Sequence, residues 1–454
     1  MSGDVLDAAW VDRRAGVRSV VTLLRSLMSG TLLSIAAVLA LQPVYFTAMA
    51  NLDRVISQEA MRGHIRDAFK TGVLSDEAHP SNHLFTSGDR FTDCGALSVG
   101  LQPGISPLTA GILAPSPESD RHPCDDLRLI ADGQASAMQW GQYLRYWHGY
   151  RVYYAPLVSL LPIYAVKLVN LVLLLTAFAA FFWQSKKLIG VAPSIGLAAP
   201  VLFLTDFAHV WHVTPHAIGV IFILGGTACF MSAVRRRVPD YLLLVLAAVF
   251  GSVFNFIDLL VNPPWMPMLL AFSVVCGMRD RTKWPALTAI FVALAWFGGY
   301  GLTWFSKWLI AYFISTEVDV VANVSAMVLF RLNGDNAKVI HWILAPTIKV
   351  TAAAILGWGL PFFIAFLVVF LGNIREGNFR WQAFWPLAWP ALIPAMWFEI
   401  LSSHSQIHAG VSSRSAAAAL GVLLAAALPA AGVESFSWRP KAASLRRQID
   451  LAEQ

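Results

Sequence analysis

The chain has 454 residues, of which 57% are hydrophobic and only 13% charged, with a net charge of +6. An average soluble domain carries roughly 25% charged residues, so the composition excludes an ordinary soluble protein. The basic excess is not gathered into one stripe, which argues against disorder and against a nucleic-acid partner.

A helix rises 1.5 Å per residue and the hydrocarbon core is about 30 Å thick, so a span needs roughly 20 mostly apolar residues. Ten segments meet that requirement: 29–50, 155–183, 193–210, 215–234, 240–258, 263–278, 284–303, 350–372, 382–400 and 415–433. The fold class expected is therefore all-α, a polytopic membrane protein of about ten transmembrane helices. Residues 1–28 form an N-terminal segment whose Arg13, Arg14, Arg18 and Arg25 precede the first span without a convincing small-residue cleavage site. That span, 29–50, reads as an uncleaved anchor. Residues 51–154 are too long for a passive link and are expected to fold as an extracytoplasmic loop domain. Residues 155–433 make a membrane domain of about nine helices, and 434–454 a cytoplasmic tail.

Orientation follows from basic residues at the span ends, because cytoplasmic loops retain Lys and Arg. Placing the N-terminus inside assigns to the cytoplasm the four arginines above, Lys186, Lys187, Arg235 to Arg237, Arg279, Arg281, Lys283, Arg375, Arg380 and the tail's Arg439, Lys441, Arg446 and Arg447. These are more than half of the 33 basic residues. Both termini are then cytoplasmic, and the location expected is a plasma (inner) membrane. A second outer stretch, from about Thr303 to Lys349, is partly apolar and reads as re-entrant or interfacial helix. No internal repeat is visible, which weakens an inverted-repeat transporter reading.

Cys94 and Cys124 both fall in the large outer loop, where an oxidising compartment would permit a disulfide. Closing a loop of about 30 residues would stabilise it by roughly 3 to 4 kcal/mol in the chain-entropy model. Cys229 and Cys276 fall in apolar spans and read as packing residues.

Ionisable groups at a membrane edge are costly and point to function, and here most gather on the outer face. Asp93 follows Gly88-Asp-Arg-Phe-Thr and precedes Cys94. It is either a turn residue or a general base whose pKa a partly dry cleft would raise toward working pH. Asp53, just past the first span, is its rival as base and could equally cap a helix. In Arg145-Tyr-Trp-His-Gly-Tyr-Arg151, the residues Arg145, Tyr146, Trp147 and His148 suit either an interfacial aromatic belt with snorkelling arginines or stacking and hydrogen bonding to a sugar. Asp206, His209, His212 and His216 lie at the outer ends of the third and fourth spans, and Asp258 at that of the fifth. Lys167 falls within the second span and reads as a snorkelling residue or an acceptor-side ligand.

His404 and His408 are four apart and would share a helical face, as two zinc ligands do, but the glutamate of a metalloprotease motif is absent. A phosphate site is better supported, because Arg binds phosphate bidentately and is always charged. Arg414, His404, His408 and Lys307 are the candidates, with ordinary membrane-edge residues as the alternative. There is no Gly-rich phosphate loop of the P-loop kind.

The strings Asp89-Arg-Phe-Thr-Asp-Cys94, Arg145 to Arg151, Asn255-Phe-Ile-Asp258 and His404-Ser-Gln-Ile-His408 with Arg414 resemble a group of bacterial multi-pass membrane proteins. The layout of nearly the whole chain resembles GT-C type glycosyltransferases, which have many spans, a large first outer loop with an essential acidic residue, and a cavity open to lipid. The usual acidic pair early in that loop is not clearly present, since Asp53 has no acidic neighbour. The resemblance implies transfer of a sugar from a polyprenyl-phosphate donor to a glycan or lipid acceptor outside the cell and, because such donors face outward, no nucleotide cofactor. Asp93 or Asp53 would serve as base, and Arg414, His404, His408 or Lys307 would hold the departing phosphate. It also implies a divalent cation, Mg²⁺ or Mn²⁺, for which Asp93 and Asp258 offer hard oxygen ligands. A transporter or lipid flippase, and a non-catalytic component of cell-envelope polysaccharide assembly, are the competing classes.

Overall fold

The structure is a computed structural model that describes residues 3–74, 90–279, 281, 284–316, 318–377 and 379–432. The chain opens with α1 (Gly3–Val55), which runs through the first predicted span and beyond it. Short elements follow: α2 (Gln58–Lys70), α3 (Arg90–Ser98), α4 (Pro107–Ile112), strand β1 (Pro115–Pro117), α5 (Pro123–Ala131), strand β2 (Trp140–Gln142) and α6 (Tyr150–Leu160). The two strands pair antiparallel, with Ser116 opposite Gly141.

The main bundle comprises α7 (Ile163–Ile189), α8 (Val191–Leu204), the single turn α9 (Phe207–Val210), α10 (Thr214–Arg235), α11 (Asp240–Ile257), α12 (Trp265–Met278) and α13 (Pro285–Ile314). It continues with α14 (Val320–Asn333), α15 (Ala345–Ala354), α16 (Leu360–Arg375), α17 (Trp381–Ala388), α18 (Leu392–Ile400), α19 (Ser402–Ile407) and α20 (Ala409–Ala430). Among the described residues six helices are long and apolar enough to cross a membrane: Arg25–Val55 of α1, then α7, α10, α11, α13 and α20. Shorter apolar helices, α8, α12, α14 and α16, accompany them. Leu168, Val172, Leu173 and Leu175 are exposed along α7, an apolar surface that suits lipid and not water.

Proline explains two of the places where the predicted spans and the helices differ. The second span was expected from residue 155, but α7 starts at Ile163, because Pro162 drives Leu161 into extended backbone (φ −131°, ψ 147°) and splits off α6. The segment 350–372 is not one regular helix either, since a π-helical turn at 355–359 separates α15 from α16. Within 382–400, Pro390 sits in a 3-10 turn that separates α17 from α18, where a missing N–H and a ring clash prevent a straight helix. Conversely, α13 continues eleven residues past the expected end at 303, through a stretch to Ile314 that is apolar and aromatic except for Ser306 and Lys307.

Small residues let the helices approach closely. A Cβ on Gly251 of α11 would lie 2.0 Å from the carbonyl oxygen of Trp296, and one on Gly299 of α13 would lie 2.0 Å from that of Ala248. The α11–α13 contact therefore has backbone against backbone, as small residues allow in membrane bundles. A polar chain crosses the same region, from Tyr45 Oη to Ser252 Oγ at 3.1 Å, from Ser252 to Thr303 at 2.6 Å, and from Gln42 Nε2 to Thr303 Oγ1 at 3.2 Å.

The short elements cover one end of this bundle. Helix α4 lies on the end of α1 so tightly that a Cβ on Gly111 would meet the Met49 carbonyl at 2.1 Å. Cys94 of α3 and Cys124 of α5 form a disulfide, both fully buried, so the expected pairing is present. The tail 434–454, Asp89 and Lys283 lie outside the described residues.

Candidate functional site

A cavity of about 550 Å³ opens between the covering layer and the helix ends. Helix α3 forms one wall through Phe91, Thr92, Gly95, Ala96 and Ser98, with Ser116 and Pro117 of β1 beside it. Ser119, Arg121 and Asp126 complete this side: Arg121 Nε donates to Asp126 Oδ1 at 2.8 Å and Ser119 Oγ to Oδ2 at 2.6 Å. The opposite wall comes from Tyr143 and Tyr146, from His216 of α10, from 259–261 after α11, from Arg331 of α14, and from His404, His408 and Val411.

Asp93 fastens the two walls together. Its Oδ1 accepts the Thr214 backbone N–H at 2.9 Å in the first turn of α10, and its Oδ2 lies 3.2 Å from Lys167 Nζ at the start of α7. A carboxylate is favoured at a helix N-terminus by the unsatisfied N–H groups there. Asp93 is 3% exposed and does not line the cavity, although Thr92 before it and Gly95 after it do. Asp53 is also turned away, with Oδ1 3.5 Å from Arg151 Nη2 in a buried pair at the end of α1.

The run from Arg145 to Arg151 attaches the covering layer to α13 and α4. The Arg145 carbonyl accepts from Trp304 Nε1 at 2.8 Å and Trp308 Nε1 at 3.2 Å, and Trp147 Nε1 donates to the Thr303 carbonyl at 3.1 Å. Arg151 Nη1 donates to the Ala110 carbonyl at 2.9 Å and Lys307 Nζ donates to the Ile112 carbonyl. Both cations thus satisfy carbonyls at the C-terminal end of α4, where positive charge is favoured. Lys307 also sits 5.5 Å from the Trp147 ring centre. His148 has left-handed backbone (φ 54°), and its ring bridges the Tyr143 carbonyl at 2.9 Å and Tyr150 Oη at 3.0 Å. Burial, helped by the nearby Lys307, Arg151 and Arg145, lowers its pKa to about 3 against the hydrogen bond it donates to the Tyr143 carbonyl, so this imidazole is a neutral brace.

Tyr146 is the member of that run that reaches the cavity. Its hydroxyl accepts from Arg331 Nη2, and the guanidinium lies 5.1 Å from the Tyr146 ring centre and 6.0 Å from that of Trp304. Burial raises the Tyr146 pKa despite the neighbouring Arg331, so the phenol stays protonated. Among the described residues Arg331 has no carboxylate within ion-pair distance, whereas Arg121 on the other wall is paired with Asp126. His404 Nε2 donates to the Leu260 carbonyl at 3.1 Å, and its ring centre is 4.8 Å from that of His408. Burial, then Arg331 and His408, lower the His404 pKa to about 3.

Arg414 lies one layer behind this wall. It is 6% exposed, donates to His216 Nδ1 at 3.2 Å and pairs with Asp206 at 3.3 Å. Since a guanidinium only donates, His216 Nδ1 is the acceptor and its proton sits on Nε2. Asp258 is likewise behind the surface, its carboxylate accepting the Val261 N–H at 3.1 and 3.2 Å and shaping the loop whose Leu260 has φ 65°.

Of the sequence-predicted site residues, then, Tyr146, His404 and His408 share the cavity. Asp93, Asp258, His148 and Arg414 do not line it together. Each is taken up in holding the walls, because a charged or polar group this deeply buried is stable only when paired. Asp93 and Asp258 do not make a divalent-cation site: the first has the Lys167 ammonium against one oxygen, and the second turns both oxygens to a backbone N–H. Among the described residues no three His, Cys, Asp or Glu side chains converge as a metal site. The reading from sequence missed Arg331, Arg121 and Asp126. Arg331 carried a usable signal, being the one charged residue in the apolar helix Val320–Asn333.

The chain matches no family model, no curated protein and no solved structure.

Proposed function

We propose that this protein is a multi-pass membrane glycosyltransferase of GT-C type, moving a sugar from a polyprenyl-phosphate donor to a glycan or lipid acceptor at the outer face of a plasma membrane. In this reading the interrupted and shorter apolar helices complete ten spans. Both termini are cytoplasmic, and the covering layer is extracytoplasmic. The observation that carries the proposal is the cavity itself. It joins a guanidinium with no carboxylate partner among the described residues, flanked by imidazoles, to a facing wall of serine hydroxyls and one carboxylate.

Arg331, with His404 and His408, takes the place first assigned to Arg414 and Lys307 and holds the donor phosphate, the fixed charge being stronger in a confined site than in water. Asp126 takes the place of Asp93 and Asp53. The acceptor hydroxyl attacks the anomeric carbon, its proton passes to Asp126, and the bond between that carbon and the phosphate oxygen breaks with the electron pair leaving on the lipid phosphate. No step is routed through a metal ion.

Sugar transfer from polyprenyl-phosphate donors by purified protein in nanodiscs tests this. Arg331→Gln and Asp126→Asn are each expected to lower the rate about 100-fold or more, the usual cost of a lost charge-stabilising donor or general base. Undiminished transfer in both variants would overturn the site assignment. Lipid movement without transfer from any donor would favour a transporter, and inactivity in both assays a non-catalytic component.

A further inference from the structure

The Asp126 carboxylate is set back from the space that a bound molecule would fill. Its side chain is 6% exposed, and both oxygens are engaged, Oδ1 by Arg121 Nε at 2.8 Å and Oδ2 by Ser119 Oγ at 2.6 Å. Ser119, by contrast, is exposed and lines the cavity. A base must lie within hydrogen-bond reach of the proton it takes, directly or through one intervening group. Ser119 is the group so placed.

The hydrogen bonds of Ser119 have a fixed direction. A hydroxyl has one proton and two lone pairs, and an ionised carboxylate only accepts. The Ser119 proton therefore points to Asp126, and the Arg121 backbone N–H, at 3.2 Å, takes one lone pair. Among the described residues no further donor meets the other lone pair, which can only accept. A group bound there must itself donate, as a hydroxyl does and a phosphate anion does not, so an anionic end belongs on the opposite wall with Arg331. The turn that carries Ser119 is held on both sides. The Glu118 N–H donates to the Gln139 carbonyl at 3.0 Å beside the β1–β2 pair, and Cys124 at the start of α5 is tied to α3. A hydroxyl on a turn held in this way is already in place for proton transfer.

We propose that Ser119 is a catalytic residue that carries the acceptor's proton to Asp126. The acceptor hydroxyl donates to Ser119 Oγ. As the acceptor oxygen bonds to the anomeric carbon, the bond from that carbon to the phosphate oxygen breaks and its electron pair leaves on the phosphate. In the same step the acceptor proton moves to Ser119 Oγ, and the proton that Ser119 held moves to Asp126 Oδ2. Ser119 ends as it began, with one proton, and Asp126 ends protonated. The relay rests on the proposed function for the reaction it serves, and adds the residue through which that reaction reaches its base.

The test uses full-length protein in nanodiscs, with polyprenyl-phosphate hexoses as donors and alkyl glycosides as acceptors, followed through a single turnover. Ser119→Ala is expected to slow transfer about 100-fold, the order that a general acid–base group contributes. Ser119→Thr, which keeps the hydroxyl, should recover most of the rate. The wild-type rate plotted against the fraction of D2O should bow downward, because two protons move in one step, whereas a serine that only holds Asp126 in place gives a straight line. A straight line, wild-type speed in Ser119→Ala, or equal losses in the Ala and Thr variants would each overturn the relay. So would a glycosyl group trapped on Ser119, which would make it the nucleophile. Transfer lost in Asp126→Asn but kept in Ser119→Ala would remove the relay alone and leave the proposed function standing. Absence of transfer by the wild type from any donor would remove both.

Discussion

Lys167→Met removes the ammonium from a pair whose members are both nearly dry, with side-chain exposures of 8% for Lys167 and 4% for Asp93. The Asp93 carboxylate keeps the Thr214 N–H at 2.9 Å but loses the charge at 3.2 Å. Removing one partner of a buried ion pair typically costs about 3 to 5 kcal/mol, because an uncompensated charge remains in low dielectric. The same substitution in an exposed pair costs about 0 to 1 kcal/mol. Because Asp93 adjoins the Cys94 disulfide and ties α3 to α7 and α10, the cost falls on the joint between the covering layer and the bundle. Pulse proteolysis in urea, in mild detergent, measures it. The expected outcome is earlier cleavage in the layer between α1 and α7 for Lys167→Met, with most of the loss recovered in the double variant Lys167→Met/Asp93→Leu, where no buried charge is left. A single-variant cost below about 1 kcal/mol, or additive losses in the double variant, would refute the view that this pair is a buried joint.

Two further expectations concern stability. His148 and His404 are held near a pKa of about 3 in the folded protein against 6.5 as the ordinary value. Between those values the unfolded chain binds more protons, so stability should fall as pH is lowered from about 6.5 toward 3, by up to about 1.4 kcal/mol per pH unit for each histidine. Thermal unfolding followed from pH 8 to 5 checks this, and His148→Gln/His404→Gln should flatten the slope; an unchanged slope would contradict it. Gly251→Val places a side chain where a Cβ alone would stand 2.0 Å from the Trp296 carbonyl. Overpacking of this kind costs about 1 to 3 kcal/mol or more, visible as a lowered midpoint in the same unfolding assay, whereas Gly298→Val, beside open space, should cost only the local helix preference.

Much of the architecture was readable because membrane crossing is a local property: apolar runs of sufficient length report helices wherever they pack. The disulfide was readable for a similar reason, since two cysteines in the same stretch between predicted spans have few other partners. The breaks at Pro162 and Pro390 were not read from sequence, because a proline can kink a helix or end it, and the surrounding packing decides which. The collection of polar residues toward one end of the bundle was also visible. Which of them face a ligand was not, since Asp93, Arg151, Lys307 and Arg414 have partners 41 to 208 positions away in sequence.

From sequence alone come the membrane class, the approximate helices and the Cys94–Cys124 link, all of which depend on composition over short windows or on one loop. Only the tertiary structure decided that Asp93 and Arg414 are braces while Arg331 faces the cavity. The physical reason is that a charge acquires its role from what desolvates it and what neutralises it, and both come from distant segments that folding brings together.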